Sequence, residues 1–333
     1  MTGAVMREEL NWAVLGTGVI ANEMAAALKE MGKTLYAVGN RTNDKAVTFA
    51  EKYGVNKVYR EYDEMFTDPE VDIIYITTPH NTHIEFLRKA LSGGKHVLCE
   101  KSITLNSGEL DEAIQLAKEN HVILAEAMTI WHMPLYKKLW DIVEKGELGK
   151  VQLLQLNFGS FKDYDMNNRF FNRNLAGGAM LDIGVYSLSL MRSFMQSKPE
   201  EIKSFMNMAP SGVDETDGIV LRNKEKQMAT IMLSLHSKQP KRAVISCENG
   251  YIEIMEYPRG QKAIIVDANT GEVREVRSDD HKPALQFEME DMEKAVLTGD
   301  AKNMKLDYTR DVMEMMTELR EEWGMRYPEE EKE

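Results

Sequence analysis

The run Gly16-Thr17-Gly18-Val19-Ile20-Ala21 follows the apolar tetrad Trp12-Ala13-Val14-Leu15 and opens a stretch in which Ile20, Met24, Leu28 and Met31 recur at helical spacing. A strand that must turn sharply and enter a helix within a few residues is served by glycine at Gly16. Gly18 lets the backbone approach a pyrophosphate, and the small Ala21 lets the helix lie close on the sheet. A helix N-terminus then faces the phosphates. Gly16, Thr17, Gly18, Val19 and Ile20 are the candidate cradle for a dinucleotide. An ordinary strand-to-helix turn is the plainer alternative, and it does not call for this spacing.

The rest of the first third continues in the same rhythm. Short apolar runs at 35–38, 57–59, 71–77, 95–99 and 122–125 alternate with helix-period segments at 44–53, 80–92 and 107–120. Six strands with helical crossovers predict an α/β fold, a doubly wound parallel sheet of Rossmann type. After Ala127 apolar and polar residues alternate, as in Leu154, Leu156 and Phe158 against Gln155 and Asn157, which suits a sheet with one solvated face. Turn signals at 222–226, Asn249-Gly250 and Asn269-Thr270-Gly271 predict antiparallel hairpins. The segments 174–195, 282–298 and 311–324 read as helices. We therefore expect a dinucleotide-binding domain over residues 1–126 and a mixed α+β domain over 127–333 that binds substrate.

Charge narrows the partners. Lys and Arg number 41 against 54 Asp and Glu, a formal net charge of -13 over 333 residues. Such a chain repels phosphate backbones and anionic lipid, so no nucleic-acid and no membrane partner is expected, and the chain is expected to be cytoplasmic. Its two cysteines, Cys99 and Cys247, read as buried thiols.

Four further places can carry chemistry. At the end of the second strand stand Gly39, Asn40 and Arg41, where an acidic residue would hydrogen-bond the ribose hydroxyls of NAD. Arg41 suits a 2'-phosphate, so NADP is expected, with NAD possible. Thr77, Thr78, Pro79, Asn81 and His83 follow the fourth strand at its carboxyl edge and are placed on the nicotinamide side. His80 and His83 form H-x-x-H without a third ligand, so no metal is expected. Glu100 and Lys101 leave the fifth strand at the same edge, where the lysine can reach a substrate hydroxyl or the nicotinamide ribose, or simply face solvent. In Gly177-Gly178-Ala179-Met180-Leu181-Asp182-Ile183-Gly184-Val185-Tyr186, Asp182 and Tyr186 are four apart and share a helix face. A lysine ammonium beside Tyr186 would favour its phenolate, the proton acceptor that hydride transfer from an alcohol needs. Trp131, His132 and Arg169 are candidates to pocket a polyhydroxylated molecule, with ordinary packing as the alternative.

Taken in order, the glycine run, TTPHNTH, CEK and GGAMLDIGVY resemble the Gfo/Idh/MocA oxidoreductases over nearly the whole chain. The resemblance implies a second domain with a large, mostly antiparallel open sheet that makes a homodimer or homotetramer. It also implies NAD(P)-dependent exchange of hydride with a sugar, cyclitol or diol. It carries the catalytic lysine to Lys101 and the motif aspartate to Asp182. Where many members have histidine this chain has Tyr186, like the tyrosine-containing branch typified by glucose-fructose oxidoreductase and dimeric dihydrodiol dehydrogenase. Where the family has Glu-Lys-Pro, this chain has Glu100-Lys101-Ser102, and loss of the ring that fixes φ is expected to loosen the turn that presents Lys101. A non-catalytic dinucleotide-binding sensor is the alternative function that Ser102 keeps open.

Overall fold

The computed structural model describes residues 9–331. Its first sheet has the order β3-β2-β1-β4-β5-β6, every pair parallel, built from β1 (Trp12–Leu15), β2 (Ala37–Gly39), β3 (Lys57–Val58), β4 (Ile73–Ile76), β5 (His96–Glu100) and β6 (Leu124–Ala127). Every residue of β1 and β4 is buried, which explains their unbroken apolar runs. Between them run α1 (Val19–Glu30), α2 (Asn43–Tyr53), α3 (His83–Ser92) and α4 (Ser107–Glu119). The helix expected from residue 80 is split: a 3-10 turn covers His80–Thr82 before α3 begins. Strand order reverses between β1 and β4, which opens a crevice at their carboxyl ends.

The second sheet has the order β14-β13-β12-β11-β7-β10-β9-β8. Its strands are β7 (Val151–Gly159), β8 (Glu201–Met208), β9 (Asp214–Arg222), β10 (Met228–Ser234), β11 (Gln239–Cys247), β12 (Gly250–Met255), β13 (Lys262–Asp267) and β14 (Val273–Arg277). All pairs are antiparallel except β7 with β10. One face is dry, with Leu154, Leu156, Ile219, Ile231, Ile245 and Ile254 buried; the other exposes Phe205, Val220, Met228 and Met232. Cys247 is half-buried rather than buried, Cys99 is fully enclosed, and both thiols are free.

Two helices differ from the sequence reading. An amphipathic helix α5 (Pro134–Glu144), with Leu135, Tyr136, Leu139 and Ile142 buried, was not anticipated. The continuous helix expected over 174–195 is broken: a 3-10 turn Arg173–Leu175 gives way to Ala176 and Gly178 at φ of 52° and 122°. A π-helical turn Met180–Gly184 then leads into α6 (Val185–Phe194). The glycine pair allows a left-handed step where a helix cannot continue.

The last two helices close the first sheet. On one side α7 (Ala284–Thr298) packs Leu285, Met289 and Met292 into a core with Trp12, Val14 and Leu28. On the other, α8 (Leu306–Glu322) joins α4 and β6 through Arg310 to Asp111, Thr309 to Glu126 and Arg320 to the Leu105 carbonyl.

Candidate active site

The glycine turn has the geometry that its spacing predicts. Gly16 has φ of 109°, and a Cβ there would lie 2.5 Å from Thr77 Oγ1, so β1 and β4 approach as only glycine allows. Gly18 flanks α1 with no side chain capping its free N–H groups and no acidic residue in the first turn. A Cβ on Gly18 would meet nothing within 4 Å. That open, uncapped helix end fits a dinucleotide's phosphates. Val19 is 79% exposed beside it, and Ile20 is half-buried. Asn40 ties the rim together, its Nδ2 donating to Thr17 Oγ1 at 2.7 Å and its Oδ1 accepting from the Thr42 amide at 2.8 Å. Arg41 is exposed.

Across the crevice, Thr77 Oγ1 donates to the Leu15 carbonyl at 3.0 Å, and Thr82 Oγ1 donates to Thr78 Oγ1 at 2.8 Å. Pro79 is exposed at the edge. His83 is enclosed, with its two ring nitrogens 3.0 Å from the Ser102 carbonyl and 2.8 Å from the Thr78 carbonyl. Asn81 turns toward the far end of the chain, its amide donating to Asn174 O at 3.2 Å and Glu329 Oε1 at 2.8 Å.

Lys101 and the GGAMLDIGVY segment meet. The Lys101 ammonium donates to the Asp182 carbonyl at 2.7 Å and to its Oδ1 at 3.4 Å, and it lies 4.9 Å from the centre of the Tyr186 ring. Although a π turn replaces the expected regular helix, Asp182 and Tyr186 both serve this one ammonium. No proline holds the lysine's turn. Ser102 is fully buried instead and donates to the Leu181 carbonyl at 3.0 Å, while the Ile103 amide donates to Glu126 Oε1 at 3.1 Å. Glu100 accepts from the buried Tyr75 hydroxyl directly behind.

The electrostatics bear out the expected pull of Lys101 on Tyr186 and add an opposing effect of burial. Burial pushes the Tyr186 phenol up; Lys101 pulls it down but does not prevail, so the group stays above its ordinary value. Burial works against the Lys101 charge, yet Asp182, Tyr186 and Glu100 outweigh it and keep the ammonium. Burial also raises the Asp182 carboxyl, and Lys101, Arg169 and Lys162 more than reverse this. His80, set aside as a metal ligand, lies within electrostatic reach of Lys101 and Asp182. Burial and the Lys101 charge push it down to about 3, so it is a neutral imidazole there.

Of the three pocket candidates only Arg169 joins the site, at 3.8 Å from Asp182 Oδ1. Trp131 and His132 are corrected to core residues, 1% and 0% exposed. A 3-10 turn over Thr129–Trp131 packs the indole edge-on against Tyr308, and His132 Nδ1 pairs with Asp291 at 2.9 Å. Three residues that the sequence did not flag stand nearby. Phe158 packs its ring 6.1 Å from that of Tyr186, Lys241 lies 5.2 Å from the Phe158 ring, and Lys162 lies 4.2 Å from the Phe170 ring. The alternation in β7 placed Phe158 on the dry face; the two lysines are distant in sequence and left no signal.

A doubly wound sheet with an uncapped glycine turn, facing a lysine, a phenol and a carboxylate, defines a nicotinamide-dependent oxidoreductase. Residues 10–128 match the oxidoreductase family with an NAD-binding Rossmann fold, and residues 136–253 match the Gfo/Idh/MocA C-terminal domain. The chain belongs to the Gfo/Idh/MocA family. It is 28% identical over 328 residues to the trans-1,2-dihydrobenzene-1,2-diol dehydrogenase of Xenopus laevis, covering 95% of this chain and 99% of that one. The mouse enzyme of the same name is 30% identical over 253 residues, 74% of this chain and 75% of its own. In fold it is similar to the aldose-aldose oxidoreductase of Caulobacter crescentus, with TM-score 0.86 and 23% identity over 96% of this chain and 100% of that one. It is also similar to a 3-ketoreductase from Actinomadura kijaniata solved with NADP and TDP-benzene, with TM-score 0.83 and 19% identity over 93% and 96%. The chain is accordingly an NAD(P)-dependent dehydrogenase or reductase acting on hydroxyl groups and their carbonyls.

Proposed function

We propose that this enzyme interconverts a secondary hydroxyl and a carbonyl on a polyhydroxylated small molecule, a sugar, cyclitol or diol, with NADP as its preferred dinucleotide. One observation carries the reading: the Lys101 ammonium joins Asp182 at 2.7 Å and the Tyr186 ring at 4.9 Å, at the mouth of a dinucleotide crevice. When bound, the dinucleotide supplies or accepts hydride at C4 of its nicotinamide. The protein's part is proton handling and orientation. Because burial keeps Tyr186 protonated at neutral pH, it suits donation to a carbonyl oxygen while the carbonyl carbon gains hydride, and the tyrosinate left behind recovers its proton from water. Lys101 stabilises that tyrosinate and Asp182 holds Lys101. In oxidation the hydroxyl proton passes to Tyr186 once it has ionised.

Three finer assignments belong to the same reading. The absence of a carboxylate at Asn40-Arg41, with Arg41 exposed, supports NADP over NAD. The exposed Phe205, Val220, Met228 and Met232 on the outer face of the second sheet support its use against a second copy of the chain. Two unpaired cysteines and the lack of any helix long and apolar enough to cross a membrane among the described residues support a cytoplasmic location. Ser102 donates to the Leu181 carbonyl beside the Lys101 turn, which supports catalysis over the sensor alternative. The test is turnover, followed by NADPH absorbance with sugars, cyclitols, diols and their ketones. Tyr186→Phe and Lys101→Met should each lower kcat by about 10²-fold or more and leave NADPH affinity in place; full turnover in both variants would refute the assignment.

A further inference from the structure

The rim of this site holds more positive charge than its carboxylates balance. Beyond β7 the chain is pinned to the end of β10, with the Ser160 amide on Ser234 O and the Lys162 amide on Leu235 O, both 2.9 Å. This brings Lys162 and Arg169 onto one aromatic ring, each 4.2 Å from the centre of Phe170. Lys241 sits on Phe158 and Lys101 on Tyr186, and those two rings touch. Lys101, Arg169 and Lys162 therefore border Asp182, and Lys241 stands beyond them within electrostatic reach of Lys162. Lys241 has a partner in Glu256 at 3.3 Å, and Lys101 has Asp182. Arg169 reaches Asp182 only at 3.8 Å, beyond hydrogen-bond length, with 65% of its side chain exposed. Among the described residues no carboxylate lies within ion-pair distance of the Lys162 ammonium. Burial, then repulsion from Arg169, Lys241 and Lys101, outweighs Asp182 and holds that ammonium below its ordinary value. In a chain of net charge -13, gathering uncompensated cations at one mouth is unfavourable until an anion arrives.

We infer that the compound presented to Tyr186 carries an anionic group, a carboxylate or a phosphate, held between Lys162 and Arg169. This rests on the oxidoreductase reading and names its substrate class. A guanidinium grips either anion with two parallel hydrogen bonds, and the ammonium adds a point charge. The same charges raise the encounter rate of anionic compounds at low salt.

Matched pairs test it: glucose against glucuronate for the carboxylate, and glucose against glucose 6-phosphate and UDP-glucose for the phosphate, each at low and high salt. We expect kcat/KM for one anionic member to exceed that of glucose by about tenfold or more, with the advantage shrinking as salt rises. Lys162→Gln should remove most of that advantage through KM and Lys162→Arg should restore it, so that the ratio of kcat/KM for the anionic member to that for glucose falls toward one in Lys162→Gln alone. Which arm responds identifies the anion. Equal use of neutral and charged members by the wild type, or equal losses in Lys162→Gln for both, would overturn the inference while leaving the oxidoreductase reading intact. Weaker NADPH binding in Lys162→Gln, matching any loss of activity, would assign the cation to the cofactor and also overturn it. If nothing turns over, the redox reading fails, and the anion site is judged by calorimetric titration of glucuronate and inorganic phosphate. Saturable binding abolished by Lys162→Gln would uphold it, and no binding would end it.

Discussion

Replacing Gly178 by alanine should damage catalysis and stability together, and the geometry fixes how much. Gly178 has φ of 122°, and a Cβ there would lie 2.1 Å from Asp214 Oδ1 and 3.1 Å from its Cγ. Asp214 is fully buried and its other oxygen accepts the Met180 amide at 2.5 Å, capping the helical segment that carries Asp182 and Tyr186. The side chain therefore cannot yield without releasing that amide. A non-glycine residue in this region of backbone space costs about 1–3 kcal/mol. Losing a buried hydrogen bond to a charged acceptor adds about 1.5–3 kcal/mol. At an unfolding entropy of about 2 cal/mol/K per residue, 333 residues give about 0.7 kcal/mol/K, so the melting temperature should fall by about 4–8 °C. Displacing the start of the segment by a good part of an ångström should lower kcat by about 10²-fold. NADPH affinity should hold, because residues 16–20 are untouched. Gly32→Ala is the control: its φ is 74°, but nothing lies within 4 Å of its Cβ position, so it bears backbone strain alone. Scanning calorimetry, NADPH absorbance and NADPH fluorescence titration report the three quantities. If Gly178→Ala matches Gly32→Ala in both melting temperature and kcat, the idea that Asp214 positions the catalytic helix is wrong.

Three other outcomes follow from the same coordinates. Gly16→Ala forces a Cβ to within 2.5 Å of Thr77 Oγ1, and fluorescence titration should show NADPH binding weakened by about tenfold or more. Arg41→Ala should weaken NADPH binding and leave NADH binding unchanged, narrowing any preference measured by titrating both; equal losses would remove the 2'-phosphate role. Burial holds the Glu126 carboxyl up at about 7 against an ordinary 4.5, so between those pH values the folded chain keeps a proton that the unfolded chain has released. Its contribution is full below pH 4.5 and is lost as pH rises through 7, about 3 kcal/mol at about 1.4 kcal/mol per pH unit. Glu126→Gln should flatten that part of the stability profile measured by urea unfolding from pH 4.5 to 8.

The first sheet was legible because its signals are local: β1, β4 and the glycine turn each declare themselves within a few residues. The second sheet was legible in part. Hairpin turns foretold antiparallel pairing, but nothing local announces the parallel pairing of β7 with β10, whose partners lie 75 residues apart, as in Met228 with Leu153. Helix α5 raised no expectation because its apolar stripe spans only Leu135 to Ile142 and no side chain caps its start. The 174–195 segment was misread because apolar residues on both sides of Gly177-Gly178 keep helical spacing, while the backbone between them departs from the helix. At the site, the partnership of Lys101 with Asp182 and Tyr186 came from the motif resemblance, since the residues lie eighty positions apart. The pull of Lys101 on the phenol was legible because neighbouring charge shows in the sequence; the larger, opposite effect of burial was not. Trp131 and His132 failed for the same reason, as aromatic and imidazole side chains serve a core and a pocket equally well.

The closing of the first sheet by α7 and α8 bears on how the chain is made. All six parallel strands leave the ribosome before residue 128, yet Trp12, Val14 and Leu28 gain Leu285, Met289 and Met292 only when α7 emerges, and Glu126 meets Thr309 later still. Throughout roughly half of translation the nascent first third therefore displays an oily flank with no cover, and exposed apolar surface of that kind is prone to aggregation. Emergence of α7 and α8, rather than completion of the sixth parallel strand, is therefore the step that gives the first sheet its full core.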